Sequence, residues 1–233
     1  MHLLAFETSA KAASVALFDD QRLLGEQYQN TGLTHSQTLL VMAQTLLNQC
    51  DVTAQQIDAV AVANGPGSFT GVRIGAAAAK GFAWGRELPL YGVSTLEAMA
   101  LGLGIYDGYV CPVMDARREQ VYNALFYVNH GQMERMTDDR AIALSDLKKE
   151  LKNLEKPVFL VGDGSILCYN ALKEDVPGLA LPPEHKLHQR AIGVGLAALE
   201  QIRLGCTGNA AEITPNYLRL SQAERERLAR EQK

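Results

Sequence analysis

Asn64-Gly-Pro-Gly-Ser-Phe-Thr-Gly-Val-Arg-Ile-Gly75 is the stretch on which the reading of this chain turns. It follows an apolar run, Ile57–Ala63, that reads as a buried strand, and opens a Gly/Ala-rich run to Gly85 that reads as a helix. Asn64–Gly67 is a turn, and Ser68 is suited to cap the helix by accepting from its first free N–H groups. Gly71, Gly75, Gly81 and Gly85 each cost a helix interior about 1 kcal/mol relative to Ala, so packing must offset about 3–4 kcal/mol. On a helical wheel Ile74, Gly75, Ala78, Phe82 and Gly85 gather on one side, and Val72, Ala76, Ala79 and Ala83 on another. Arg73 and Lys80 form a narrow polar stripe beside Ala77 and Trp84. A helix this apolar is covered almost all round. Its own sheet can cover one side, and the other calls for a second partner, whose backbone the small residues would let approach.

A glycine-rich turn entering a helix N-terminus can also present N–H groups to an anion. The phosphate loop, however, ends in Gly-Lys-Ser/Thr, whereas this stretch has Gly71-Val72-Arg73, and dinucleotide-type glycine spacing is absent. A packing or partner helix is the better reading.

Outward from this stretch, 233 residues with 47% hydrophobic and 21% charged content are ordinary for a globular protein with ample core. No apolar run is long enough for a membrane span. The opening Met1–Glu7 reads as a strand, lacking the basic region and cleavage site of a signal peptide. Cys50, Cys111, Cys168 and Cys206 are scattered without a Cys-x-x-Cys pair, which suits reduced thiols in the cytoplasm. A formal charge of −4 argues against strong autonomous binding to nucleic acid.

In order, Leu3–Thr8, Ala13–Phe18 and Arg22–Gln29 read as three short strands. Thr34 starts a helix, with Gln37 completing a Thr-x-x-Gln capping box. Strand Ile57–Ala63, the glycine-rich helix, strand Leu88–Val93 and a helix from Thr95 follow. A second copy begins near Tyr109, with Tyr109–Asp115, Gln120–Val128 and Gln132–Met136 as three strands. Phe6-Glu7-Thr8-Ser9 matches Met114-Asp115-Ala116-Arg117, and Ser14–Phe18 matches Tyr122–Phe126, at an offset of 108 residues. Ser145–Leu154 is an amphipathic helix, Pro157–Val161 a strand, Gly162–Ser165 a turn into another helix, and His188–Leu204 a further helix. Pro215–Arg219 is a short docked segment, and Ser221–Lys233 a charged helix or tail with Glu226 and Arg230 at i, i+4. The expected class is α/β with two duplicated, ribonuclease-H-like domains: 1–104 carrying the glycine-rich helix, 105–220, and the tail 221–233.

Glu7 stands where actin-like ATPases and sugar kinases keep an acidic residue for a metal-bound nucleotide; its plainer role is a carboxylate satisfied by turn N–H groups. Asp115 and Arg117 hold the matching place in the second copy, where an ion pair across the cleft stands beside a catalytic role as the alternative. The histidines form no His-x-x-x-His or His-Glu-x-x-His pattern, so no metal site is expected. No Gly-x-Ser-x-Gly elbow or Cys/His pairing announces a nucleophile, and no catalytic residue is assigned.

The segments Asn64–Gly75, Gly92-Val-Ser-Thr-Leu96, Met114–Arg117 with Gln120-Val-Tyr122, and Pro215-x-Tyr-Leu-Arg219 resemble the bacterial tRNA threonylcarbamoyladenosine biosynthesis family TsaB, also called YeaZ, along the whole chain. The resemblance implies an actin-like two-domain fold and a noncatalytic cytoplasmic protein. It implies pairing with a TsaD-like catalytic protein and work with a TsaE-like ATPase, tRNA being met only through the complex. ATP and a metal are then used by the assembled complex, with no cofactor held tightly by this chain alone. Without its catalytic partner the chain is expected to form a homodimer, the helix from His35 joining the glycine-rich one in a four-helix bundle. The expected interface is Phe69, Thr70, Val72, Arg73, Ala76, Ala77, Lys80 and Trp84. Glu7 departs from the Asp found in many family members. The alternatives are an ATP-dependent phosphotransferase of the same fold and a metallopeptidase.

Overall fold

The structure is a computed structural model that describes residues 1–104 and 107–219; the expected tail 221–233 lies outside the described residues. Its first sheet contains β1 (His2–Glu7), β2 (Ala13–Asp19), β3 (Arg22–Gln29), β4 (Ala59–Gly65) and β5 (Leu90–Ser94) in the order β3-β2-β1-β4-β5. The three opening strands are antiparallel neighbours, and β4 and β5 add in parallel beyond β1. Two strand positions shift from expectation: β4 begins two residues after Ile57, and β5 two after Leu88. Ile57 still reaches the core, but as the residue closing a short 3₁₀ turn, Ala54–Gln56.

Helices α1 (His35–Gln49) and α2 (Phe69–Trp84) connect these strands, and α3 (Thr95–Leu103) follows β5 toward the second sheet. The capping box expected at Thr34 does not form, since the Thr34 side chain makes no cap bond. The same Thr-x-x-Gln spacing recurs at Thr53, where Gln56 Oε1 accepts the Thr53 N–H at 2.8 Å.

The second sheet runs in the order β10 (Arg140–Ala143), β7 (Gln120–Asn123), β6 (Gly108–Asp115), β11 (Val158–Val161), β12 (Leu179–Ala180). Here β6 (Gly108–Asp115) faces a strand expected to be continuous over Gln120–Val128. It is split into β7 (Gln120–Asn123) and β8 (Phe126–Asn129), which keep one antiparallel register with β6. The break falls opposite Cys111-Pro112, and a proline has no N–H to give the ladder. The outer strand is split as well, into β9 (Gln132–Arg135) beside β8 and β10 (Arg140–Ala143) beside β7. Helices α4 (Leu144–Leu151) and α5 (Ser165–Leu172), strands β11 (Val158–Val161) and β12 (Leu179–Ala180), and α6 (Ala191–Arg203) complete the chain. The two helix starts expected at Ser145 and His188 fall at Leu144 and Ala191.

Alternation along the strands builds four packed layers. Leu4, Phe6, Val15, Leu17, Val60 and Val62 face α1 and α2, while Leu3, Ala5, Ala16, Phe18, Ala61 and Val93 face α6. In the second sheet Val110, Met114, Phe126 and Val128 face α3, and Cys111, Val113, Val121 and Leu160 face α4 and α5. So α3 covers the sheet that follows it, and α6 returns to the first. The two helices pack so closely that a Cβ on Gly193 would lie 1.8 Å from the Ala98 carbonyl oxygen. Helix α6 and Ile213, which the sequence division 105–220 groups with the second half, therefore pack on the first. The Ala191 N–H donates to Ser14 Oγ at 2.6 Å, Arg190 pairs with Glu26, and Ile213 enters the first core.

Candidate functional site: the glycine-rich helix, its strap and the cleft

The expected turn Asn64–Gly67 is shorter in the structure: Asn64 and Gly65 close β4, and after a cis Gly65-Pro66 bond the bend Pro66–Gly67 leads into α2. Ser68 caps the helix as expected, its Oγ accepting the Gly71 N–H at 3.3 Å. The first glycines answer to the chain itself. A Cβ on Gly67 would lie 2.4 Å from the Ser9 carbonyl oxygen, on Gly71 2.1 Å from that of Thr8, and on Gly75 2.3 Å from Thr8 Oγ1. Thr8 Oγ1 in turn donates to the Gly71 carbonyl at 2.8 Å, and Ser68 N–H donates to Ser9 O at 2.6 Å. The helix N-terminus and the β1–β2 turn are thus one packed unit.

Both apolar sides of α2 are covered within the chain, which corrects the expectation that one of them needs an outside partner. Gly71, Val72, Gly75, Ala76, Ala79 and Ala83 are its buried residues. Ile74, Ala78 and Phe82 pack with Leu39, Met42, Ala43 and Leu46 of α1 in one core cluster. Of the expected interface residues, Val72 and Ala76 are 2% and 6% exposed and cannot offer their side chains to another molecule. Thr70, Arg73, Ala77 and Trp84 stand outside with Gly81, while Phe69 and Lys80 are half-buried. Trp84 is 75% exposed, and on α1 Leu40 and Val41 are 54% and 63% exposed.

The docked segment Pro215–Arg219 is a strap across this region. Asn216 N–H donates to Asn64 O at 2.7 Å, and Asn64 Nδ2 donates to Thr214 O at 3.3 Å. Tyr217 stacks on Phe69 with ring centres 4.6 Å apart, and Arg73 lies over the same Phe69 ring at 3.8 Å while its Nε donates to Tyr217 Oη at 2.6 Å. Arg219 reaches the second half, donating to the carbonyls of Ala116 at 2.5 Å and Arg117 at 3.4 Å. Sequence spacing marked the segment as docked but carried no sign of this Phe69–Arg73–Tyr217 stack.

Beneath the strap lies a cleft of about 610 Å³ between the two sheets. Ser9–Lys11 and the α2 N-terminus form one wall, Met114–Arg117 and Asp163 the other, and the strap a third. Glu7 lies under its floor, 1% exposed. The Ser9 N–H donates to Glu7 Oε1 at 2.5 Å, whereas Oε2 has no partner among the described residues. Burial, reinforced by the charge of Asp163, raises the Glu7 pKa to about 7 against the opposing Ser9 hydrogen bonds. Asp163 is likewise pushed up by burial, although Gln189 Nε2 donates to it at 2.8 Å. The sequence marked Asp163 only as part of a turn.

Asp115 and Arg117 do meet at the cleft, but not as the ion pair expected. Asp115 Oδ1 accepts the Arg117 backbone N–H at 2.7 Å. The hairpin explains why: Arg117, Arg118 and Glu119 all have φ near +55 to +62°, and Asp115 faces Val121, one residue before the Tyr122 that the 108-residue offset selects. Among the described residues, no three His, Cys, Asp or Glu side chains converge as a metal-holding group.

The family model that matches this chain, over residues 29–227, is TsaD, tRNA N6-adenosine threonylcarbamoyltransferase. Among curated relatives, "tRNA threonylcarbamoyladenosine biosynthesis protein TsaB" of Bacillus subtilis is 33% identical over 231 residues, covering 96% of each chain. The protein of that name in Haemophilus influenzae is 40% identical over 229 residues, covering 93% of each. YeaZ from Pseudomonas aeruginosa superposes with a TM-score of 0.74 at 27% identity, covering 93% of this chain and 99% of that one. The ethanolamine utilization protein EutJ of Carboxydothermus hydrogenoformans, with a TM-score of 0.50 at 14% identity over 84% of this chain and 90% of its own, shares the fold alone. The family model over residues 29–227, the relatives at 33–40% identity along 93–96% of the chain and the superposition on YeaZ agree: this chain belongs to the TsaB (YeaZ) family of TsaD-like proteins.

Proposed function

We propose that this chain is a noncatalytic partner in forming N6-threonylcarbamoyladenosine next to the anticodon of tRNA. It pairs with a TsaD-like catalytic protein through the outer stripe of α2, works with a TsaE-like ATPase, and meets tRNA only through that assembly. Alone, it pairs with its own copy through the same stripe. Its two halves are duplicated actin-like units, and ATP and a metal belong to the assembled complex. The observation that carries the reading is the similarity to TsaB proteins along 93–96% of the chain. The packing supports it: at the glycine turn the Ser68 N–H is given to Ser9 O and the Gly71 N–H to Ser68 Oγ rather than held for a phosphate, and Glu7 is buried beneath the cleft floor. The exposed Trp84, Leu40 and Val41 supply apolar surface for an assembly.

The test is reconstitution with the TsaD-like and TsaE-like proteins of the same organism, tRNA, ATP and the threonylcarbamoyl adenylate. Modification should collapse when this chain is omitted, and the chain alone should yield none. Turnover by the isolated chain, lost in Glu7→Ala, would overturn the reading. Ala77→Trp should overpack the shared surface and cost about 1–3 kcal/mol of partner affinity while leaving the circular dichroism unchanged. Unchanged affinity would move the interface off α2.

A further inference from the structure

Arg73 is held in a single pose by its own chain. Its Nε is taken by Tyr217 Oη at 2.6 Å and its guanidinium lies over Phe69, so among the described residues only the two terminal nitrogens are left without a partner. Among the described residues no carboxylate pairs with Arg73 or Lys80. A guanidinium fixed in this way is preorganised to grip a carboxylate with both nitrogens, and its side-chain entropy is already spent. Lys80 adds a second cation two turns along the same helix, likewise unpaired among the described residues.

A second copy of the chain is poorly equipped to answer these charges. Neither α1 nor α2 contains an Asp or Glu. The nearest acidic residues in sequence, Asp51 and Glu87, lie just past the C-terminal ends of the two helices. If two α2 helices cross antiparallel about an axis over Ala77, Arg73 meets Gly81 of the copy. Bringing Arg73 onto Glu87 of the copy needs the axis at Lys80, which sets two ammonium groups against each other. Like charges facing across an interface select against that pairing.

We propose that Arg73, positioned by Tyr217, together with Lys80 selects a partner surface bearing carboxylates over a second copy of this chain. The proposal rests on α2 being the shared interface. It makes the homodimer the charge-mismatched assembly and gives the catalytic partner its advantage. Tyr217 is a positioning residue, acting through the orientation of Arg73.

The test measures homodimer affinity by sedimentation equilibrium and heteromeric affinity by titration with the TsaD-like protein, each at low and high salt. The heteromeric complex of the wild-type chain should weaken as salt rises, and the homodimer should not. Arg73→Gln with Lys80→Gln should weaken the heteromeric complex by about tenfold or more while the homodimer holds or tightens. Tyr217→Phe keeps the ring stack and should weaken only the heteromeric complex, about threefold, with an unchanged unfolding midpoint. The proposal is overturned if the double variant changes both assemblies alike or neither. It is also overturned if Glu87→Gln or Asp51→Asn weakens the homodimer, because the copy would then be supplying the carboxylate. If the wild-type chain forms no complex with the TsaD-like protein, this proposal and the proposed function fall together. A complex indifferent to Arg73, Lys80 and Tyr217 sinks this one alone.

Discussion

Glu7 ends the central strand of the first sheet with one carboxylate oxygen on the Ser9 N–H and the other unpartnered. Its pKa is raised from 4.5 to about 7, chiefly by burial, so the folded state favours the protonated acid. The sign follows from linkage. Below the unfolded value Glu7 is neutral in both states and imposes no penalty. As pH rises from about 4.5 the unfolded chain ionises first, stability falls, and the loss is complete above about 7. Glu7→Gln should therefore change urea stability little at pH 4 and raise it by up to about 3 kcal/mol at pH 8. An equal effect at both pH values would mean that Glu7 is not neutral in the fold. The plainer sequence reading, a carboxylate held by turn N–H groups, describes Oε1. Asp163, whose charge bears on Glu7, comes from a strand end far along the chain, and no local pattern announces it or the Oε2 left without a partner among the described residues.

At the scale of an element, α2 separates glycines that packing requires from glycines that it does not. Gly71→Ala would set a Cβ 2.1 Å from the Thr8 carbonyl oxygen, a backbone atom with nowhere to go, and should cost about 3 kcal/mol or more. Gly81→Ala meets nothing within 4 Å and should stabilise the isolated chain by about 0.5–1 kcal/mol. Thermal unfolding of the two variants checks both signs, and equal losses would refute the distinction. The sequence showed that something must offset the glycines, but it could not identify the offsetting contact. Thr8 lies 63 positions from Gly71, and their meeting depends on β1 and β4 being neighbours. The two Thr-x-x-Gln segments carry the same lesson: identical spacing places Gln56 on the Thr53 N–H but leaves Thr34 without a side-chain cap.

At the scale of the molecule, α3 and α6 are exchanged between the sheets, so neither half buries both of its faces with its own helices. Residues 1–104 alone would expose Leu3, Ala5, Ala16, Phe18, Ala61 and Val93, the face that α6 covers. That fragment should lack near-ultraviolet dichroism and cooperative unfolding, whereas the full chain should show both. Cooperative unfolding of 1–104 alone would refute the exchange as a condition for folding. Gly193→Ala, which drives a Cβ toward the Ala98 carbonyl, should destabilise the whole chain through the α3–α6 contact.

By itself the sequence determined the α/β class, the succession of strands and helices as far as α3, the Ser68 cap and the family, because these rest on local pattern and contiguous motifs. The tertiary structure alone decided which side of α2 faces outward, why its first glycines are there, where the strap docks and which sheet each late helix covers. Each of these depends on surfaces brought together by strand order. Periodicity states that a face is apolar but not what lies against it. Here α1 lies against one apolar side of α2 and the sheet against the other, and among the described residues the stripe of Thr70, Arg73, Ala77, Gly81 and Trp84, flanked by the half-buried Phe69 and Lys80, is what α2 leaves for another molecule.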